Sequence, residues 1–162
     1  MCSSDLVRSI SDLGCGDGSL MGDIKKLVPE VWGYDAGAGN LTVAKKARLD
    51  ARYADIVNDE LEYGDLSTCC EVVEHLVDPR AFIEKIQSRY LLISSPSAEV
   101  PEWHYLEHAW GWDFYGYRDL VTDCGFTILD QANVTAKGRC DFLGNGISRN
   151  PQFQTILAER CS

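Results

Sequence analysis

The sequence predicts an α/β fold: a doubly wound, mostly parallel sheet of seven strands with helices on both faces. Three observations carry this. Short apolar runs alternate with amphipathic runs along the whole chain, the pattern of strands joined by covering helices. Glycines at alternate positions, Gly14, Gly16 and Gly18, follow the first apolar run. Acids then close successive runs: Asp12 before the glycine turn with Asp17 inside it, Asp35, Asp55 and Glu71. Ligands of such folds bind beyond the carboxyl ends of the strands, so these acids are expected on one rim.

Each element has a local reason. "LVRSISDL" reads as a strand ending at the glycine turn, and "SLMGDIKKLV" has helical apolar spacing at Leu20, Ile24, Leu27 and Val28. "VWGYD" is a short second strand. "NLTVAKKARL" is a helix that Asn40 is expected to cap. "ARYADI" and "DLSTCCEVV" are strands three and four. "DPRAFIEKI" is a helix with proline in its first turn, where a missing N–H costs nothing. "RYLLISSP" is a fifth strand stopped by Pro96, and "YRDLVTDCG" a helix ending at Gly125. "FTILDQANV" and "QTILAERC" complete the seven strands. With no repeat or linker, residues 1–162 are read as a single domain.

Bulk properties exclude several classes. No apolar run approaches the roughly 18 residues that span a bilayer, and "MCSSDLVRSI" lacks the charged start and apolar core of a signal peptide. The expectation is a cytoplasmic protein without a membrane partner. The net charge of −10 argues against a large nucleic-acid partner, because such binders neutralise phosphates with Lys and Arg. The densest basic positions, Lys25, Lys26, Lys45, Lys46 and Arg48, read as solvated helix faces. Seven cysteines, none spaced C-x-x-C, read as free thiols in a reducing compartment.

The glycine turn poses a chemical question. Backbone amides at such a turn usually cradle phosphate, and the carboxylates here repel it. The dinucleotide pattern G-x-G-x-x-G is not met, since position 19 is serine. S-adenosylmethionine fits better. It carries no phosphate, has a cationic sulfonium and ammonium, and offers two ribose hydroxyls. Asp35 lies about 20 residues past the turn, where an acid hydrogen-bonds ribose.

"SDLGCGDG" followed by "GYDAG", "YADI" and "CCEVVEH" resembles the class I S-adenosylmethionine-dependent methyltransferases, from about Ile10 to Phe126. The resemblance implies a Rossmann-like fold and assigns roles. Gly14 and Gly16, with Cys15 between them, let the cofactor approach the backbone. Asp12 organises the turn and the methionine end. Asp35, with Ala36 beside it, takes the ribose hydroxyls. Asp55 accepts from the adenine amino group next to Ile56, and Cys70 and Glu71 lie under the methyl end. Relatives usually carry a lid helix before the first strand, whereas only Met1 to Leu6 precede it here.

A second constellation follows. "EVVEHLVDP" carries Glu71, Glu74 and His75, with the two glutamates expected on one helical face. His104 and His108 come downstream. In one reading His75 or His108 is the base for a small-molecule acceptor. In another, Glu71, Glu74, His75 and His108 (or His104) bind a divalent metal. The segment resembles that of small-RNA 3′-terminal 2′-O-methyltransferases, which bind a metal this way, and is also similar to ubiquinone-pathway O-methyltransferases. In a third, Glu74 and His75 only cap or brace the short helix after strand four. The aromatic stretch "EWHYLEHAWGWDFYGY" reads as the wall of an acceptor pocket or as a homodimer surface. The expected function is methyl transfer to oxygen or nitrogen of a small molecule. The rivals are metal-dependent RNA methylation and a non-catalytic cofactor-binding module.

Overall fold

The computed structural model describes residues 6–97, 108–135, 138–140 and 153–161. Its contacts gather into two compact units, Met1–Cys69 with Gln87–Arg89, and Cys70–Ile86 with Tyr90–Ser162.

The first unit holds β1 (Ser9–Leu13), α1 (Ser19–Ile24), β2 (Glu30–Asp35), α2 (Ala38–Lys46), β3 (Asp50–Tyr53) and all but the last residue of β4 (Leu66–Cys70). The strands lie in the order β3-β2-β1-β4, and each printed pairing among them is parallel. Central parallel strands are covered on both faces, and β1 is accordingly buried from Ile10 to Leu13. Met21 of α1 and Leu41 and Ala44 of α2 pack with Ile10, Val31 and Ala51 of the strands. Buried hydroxyls also tie the sheet: Ser11 meets Ser67 at 2.7 Å, and Ser67 meets Ser88 at 2.6 Å.

Gly33 of β2 is a packing requirement that the sequence did not announce. A Cβ there would lie 2.6 Å from the Cβ of Cys15 and 2.7 Å from the sulfur of Met21. The glycine turn can therefore lie directly on β2. Gly33→Ala is expected to destabilise the fold by about 1–3 kcal/mol, the usual range for overpacking a core. Urea unfolding checks this, and an unchanged midpoint would contradict it.

The second unit holds a 3₁₀ turn (Val73–His75), α3 (Pro79–Lys85), β5 (Tyr90–Pro96), α4 (Phe114–Asp123), β6 (Phe126–Thr135), β7 (Gly138–Cys140) and β8 (Phe153–Arg160). The order is β5-β8-β6-β7. Because β8 is antiparallel to both neighbours, β5 and β6 run the same way. Asp78 caps α3 ahead of Pro79, and Asp113 caps α4 by accepting from the Gly116 amide at 2.7 Å. The interior is Phe82, Ile83, Leu91, Ile93, Tyr117, Val121, Phe126 and Ile156.

The seven expected strands are present, with the three-residue β7 in addition. Several boundaries differ. α1 stops at Ile24, short of Val28. α2 is entered through Gly37, and Asn40 sits inside it instead of capping it. The Gly37 amide donates instead to Asp35 Oδ1 at 2.6 Å. β4 ends at Cys70, so Glu71 to Val73 are not strand. α4 begins at Phe114, three residues before the expected start, because Asp113 supplies the cap. No helix among the described residues is long and apolar enough to cross a membrane.

Candidate functional site

The glycine turn of the first unit is closed on itself. Gly14, Gly16 and Gly18 have φ of 80°, 54° and 83°, the left-handed region that glycine enters without strain. The amides of Gly14 and Cys15 both donate to the Tyr34 carbonyl, at 2.8 and 2.9 Å. The Gly16 amide donates to Asp35 Oδ2 at 2.9 Å, and the Gly18 amide to the Cys15 carbonyl at 3.0 Å. The Ser19 amide and hydroxyl both donate to Asp17 Oδ1. These five amides have protein acceptors, so the turn is not a phosphate cradle of the kind a dinucleotide needs.

Asp35 ends β2 and holds the turn through both oxygens, Oδ2 to Gly16 and Oδ1 to Gly37. Each carboxylate oxygen can accept more than one hydrogen bond, which leaves capacity for a diol. Ala36 follows it, between the strand and α2. Asp12 is buried, 2% exposed, and takes the Thr68 hydroxyl on Oδ1 at 2.6 Å. Burial pushes its carboxyl up to about 6, opposed by the Thr68 hydrogen bond and aided by the Asp35 charge. Cys15 is also buried, and burial with the Asp12 and Asp35 charges pushes its thiol up to about 12. That thiol is no nucleophile near neutrality.

The proton on Asp12 has a measurable consequence. Its folded-state pKa is raised, so between pH 3.8 and about 6 the native state holds more protons than the unfolded chain. Stability from this group therefore falls as pH rises through that window. Asp12→Asn removes the titration. Its stability relative to the parent should rise by about 2 kcal/mol between pH 4 and pH 6. Urea unfolding at the two pH values measures the difference, and a flat or falling difference would contradict the assignment.

Asp17 and Asp55 are more local than the sequence suggested. Exposed Asp17 serves the first turn of α1, and the two Ser19 contacts hold its carboxyl below the usual range. Asp55 accepts from the amides of Val57 and Asn58 and from the Asn58 side chain, closing the turn that contains Ile56. Both still place negative charge on the first unit.

In the second unit, Glu74, His75 and His108 come together, each offering a ligand atom within 4.8 Å of the others. The 3₁₀ turn positions the first two. The imidazoles of His75 and His108 meet edge to face, with centroids 4.7 Å apart. The Glu74 side chain is 1% exposed, and neither carboxyl oxygen has a hydrogen-bond partner among the described residues. His75 Nε2 lies 3.9 Å from Glu74 Oε1, beyond hydrogen-bond reach. Burial pushes the Glu74 carboxyl up to about 7, aided by the charge of Glu71. The segment that carries His108 is anchored to the same turn, since Ala109 and Trp110 both donate their amides to the Glu74 carbonyl.

Glu71 stands apart from this cluster. It is not on one helical face with Glu74, because it precedes the turn at φ 56°, a strained setting for a residue with a side chain. Its amide donates to the Ser94 carbonyl, and its Oε1 accepts from the Ser94 hydroxyl at 2.7 Å. Burial raises its carboxyl pKa, opposed by that hydroxyl. Of the four expected metal ligands, three gather and Glu71 is engaged by Ser94. Half-buried Cys70 ends β4. His104, Trp103 and Tyr105 lie outside the described residues. Trp110 and Trp112 stack with rings 7° from parallel and line a groove of about 420 Å3 with Pro79 and Leu120. Tyr117 is core.

Comparison with known proteins follows this geometry. Residues 4–127 match the family model described as a methyltransferase domain. The chain is 36% identical to a ubiquinone biosynthesis O-methyltransferase of Ruegeria sp. (strain TM1040), over 85% of its own length and 64% of the relative's. It is 34% identical to the mitochondrial ubiquinone biosynthesis O-methyltransferase of Schizosaccharomyces pombe, over 54% of the chain and 37% of the relative. It thus spans less than two thirds of either relative. Among solved structures, it is similar to an S-adenosylmethionine-dependent methyltransferase from Thermotoga maritima, titled a possible histamine N-methyltransferase. The TM-score is 0.76 at 15% identity, covering 96% of this chain and 83% of that one. The fold is the Rossmann-like α/β architecture of that class.

Proposed function

The chain belongs to the methyltransferase-domain family, and from that premise we propose that it moves the methyl group of S-adenosylmethionine to a hydroxyl oxygen of a small-molecule acceptor. The observation that carries the acceptor half is the cluster of Glu74, His75 and His108. The donor half rests on the closed glycine turn with Asp35 beside it. A turn with its amides engaged and carboxylates around it suits a cationic ligand without phosphate. Relatives named as O-methyltransferases favour oxygen over nitrogen.

S-adenosylmethionine supplies a methyl group already activated on a sulfonium. The acceptor oxygen forms the new C–O bond as the C–S bond breaks, and the bonding pair stays on sulfur as a thioether. Asp35 is assigned the ribose diol, and Gly14 and Gly16 the close backbone approach. Asp12, Cys15, Ala36, Asp55 and Ile56 are assigned to that cofactor subsite as well. Positioning contributes most of the rate, because the methyl is reactive before binding. The acceptor proton leaves to an imidazole, His108 or His75, histidine being the side chain most often used as a general base.

One observation favours a second reading, in which the cluster holds a divalent cation. A carboxylate this buried, with no donor to either oxygen among the described residues, is costly unless something charged or hydrogen-bonding meets it. One carboxylate and two imidazoles are an acceptable donor set for several divalent metals and select none of them. Glu74, His75 and His108 would hold the ion, which would lower the pKa of an acceptor hydroxyl. Methylation of an RNA 3′-terminal ribose belongs to this second reading.

The test is radiolabelled methyl transfer from S-adenosylmethionine to small-metabolite and small-RNA fractions, with and without chelator. Label entering a hydroxylated metabolite despite chelator is expected from the first reading. Label entering RNA only, and only with metal, would replace it with the second. No transfer to any fraction by a protein that binds S-adenosylhomocysteine would leave a binding module.

A further inference from the structure

Two glutamines lie where apolar side chains would pack better. Gln131 of β6 is 2% exposed and Gln154 of β8 is fully buried. Each uses its amide group on the segment entering α4. Gln154 Nε2 donates to the Trp112 carbonyl at 2.8 Å, and Gln131 Nε2 donates to the Phe114 carbonyl at 2.7 Å. Register explains the match. Gln154 pairs with Asn133, two residues beyond Gln131 on β6, so both glutamines face the same side of the sheet. Both carbonyls lie on the segment entering α4, Trp112 just before the Asp113 cap and Phe114 at the first helical position, and Trp112 bridges with Ser97 of the β5 end.

Gln154 is a poor stabiliser for its position. Gln154 Oε1 is buried with no donor among the described residues, and an unpaired buried acceptor costs free energy that an apolar side chain there would not. What the two glutamines do is fix the far end of a short strap. At its near end, Ala109 and Trp110 donate to the Glu74 carbonyl at 2.8 and 3.1 Å, and Trp110 Nε1 donates to the Leu76 carbonyl at 2.9 Å. His108 directly precedes the first of these anchors. The strap from His108 to Phe114 is thus held between the turn bearing Glu74 and His75 and the two sheet glutamines.

We propose that Gln154 and Gln131 are positioning residues for His108: by gripping the Trp112 and Phe114 carbonyls they hold its imidazole against His75 and Glu74. The proposal rests on the reading that this cluster serves the acceptor, and it names residues that act on it without touching it. Methionine is nearly isosteric with glutamine and donates no hydrogen bond, so Gln154→Met and Gln131→Met release one grip each.

The experiment is NMR of the ligand-free protein. The wild type should show a nuclear Overhauser contact between the His75 and His108 ring protons, assigned with His75→Ala and His108→Ala. Each methionine variant should keep its circular dichroism and its S-adenosylhomocysteine affinity while that contact weakens, and the double variant should lose it. Retention of the contact in the double variant would overturn the proposal. So would unfolding of both single variants, which would make the glutamines ordinary supports of the core. If Gln154→Met alone fails to fold, Gln131→Met still gives the reading. The contact is independent of turnover. If His108→Ala leaves methyl transfer intact while the glutamines control the contact, the functional reading fails and the positional one stands.

Discussion

Alanine at His108 is expected to cut methyl transfer by about 10²–10⁴-fold, the range lost when a general base is removed. S-adenosylhomocysteine affinity should stay as it was, since His108 is assigned to the acceptor and not to the adenosine. The partner variants separate the two readings of the cluster. If an imidazole takes the proton directly, chelator leaves the rate unaltered and one histidine matters more than the other. If Glu74, His75 and His108 hold a cation, chelator abolishes the rate and added divalent metal restores it. Glu74→Ala, His75→Ala and His108→Ala then fail together, because loss of one ligand weakens the whole site. Full activity in His75→Ala/His108→Ala would remove both versions and leave the cluster a brace for the turn after β4.

Asp35→Ala carries the second large effect. A hydrogen bond to a charged group is worth about 1.5–3 kcal/mol, so cofactor affinity should drop by roughly 10–150-fold by that contact alone. In this protein the loss should reach the upper part of that range. Asp35, assigned to the ribose, also holds the glycine turn, through Gly16 on one oxygen and Gly37 on the other. Asp35→Asn is informative beside it, because an amide keeps one acceptor oxygen and loses the charge. Calorimetric titration with S-adenosylhomocysteine reads both variants. An unchanged affinity in Asp35→Ala would place the ribose elsewhere.

The legible parts of the site were those written in backbone chemistry. Alternate glycines announce a left-handed turn, and an acid about 20 residues later announces the end of β2. Asp17 and Asp55 lie as expected near strand ends, but their closest uses are local. A short carboxylate beside free amides satisfies its own turn first, as the Ser19 and Val57 contacts show. The shared face of Glu71 and Glu74 was misread because helical spacing presumes helix. The chain instead leaves β4 through a left-handed residue that no propensity predicts. His75 and His108 were singled out by type, yet their meeting across 32 intervening positions depends on a strap with no local signature. Gly33, Thr68, Ser94 and the two glutamines were missed. The glutamines did leave a trace, as polar residues inside "FTILDQANV" and at the head of "QTILAERC", both read as strands.

The most direct test of the account is one calorimetric comparison on the unmodified protein: S-adenosylhomocysteine against NAD. The engaged amides of Gly14, Cys15, Gly16 and Gly18 leave no cradle for a pyrophosphate, and the acids around the turn oppose one. The account predicts micromolar-range binding of S-adenosylhomocysteine and far weaker binding of NAD. Tight NAD binding with no heat from S-adenosylhomocysteine would contradict it.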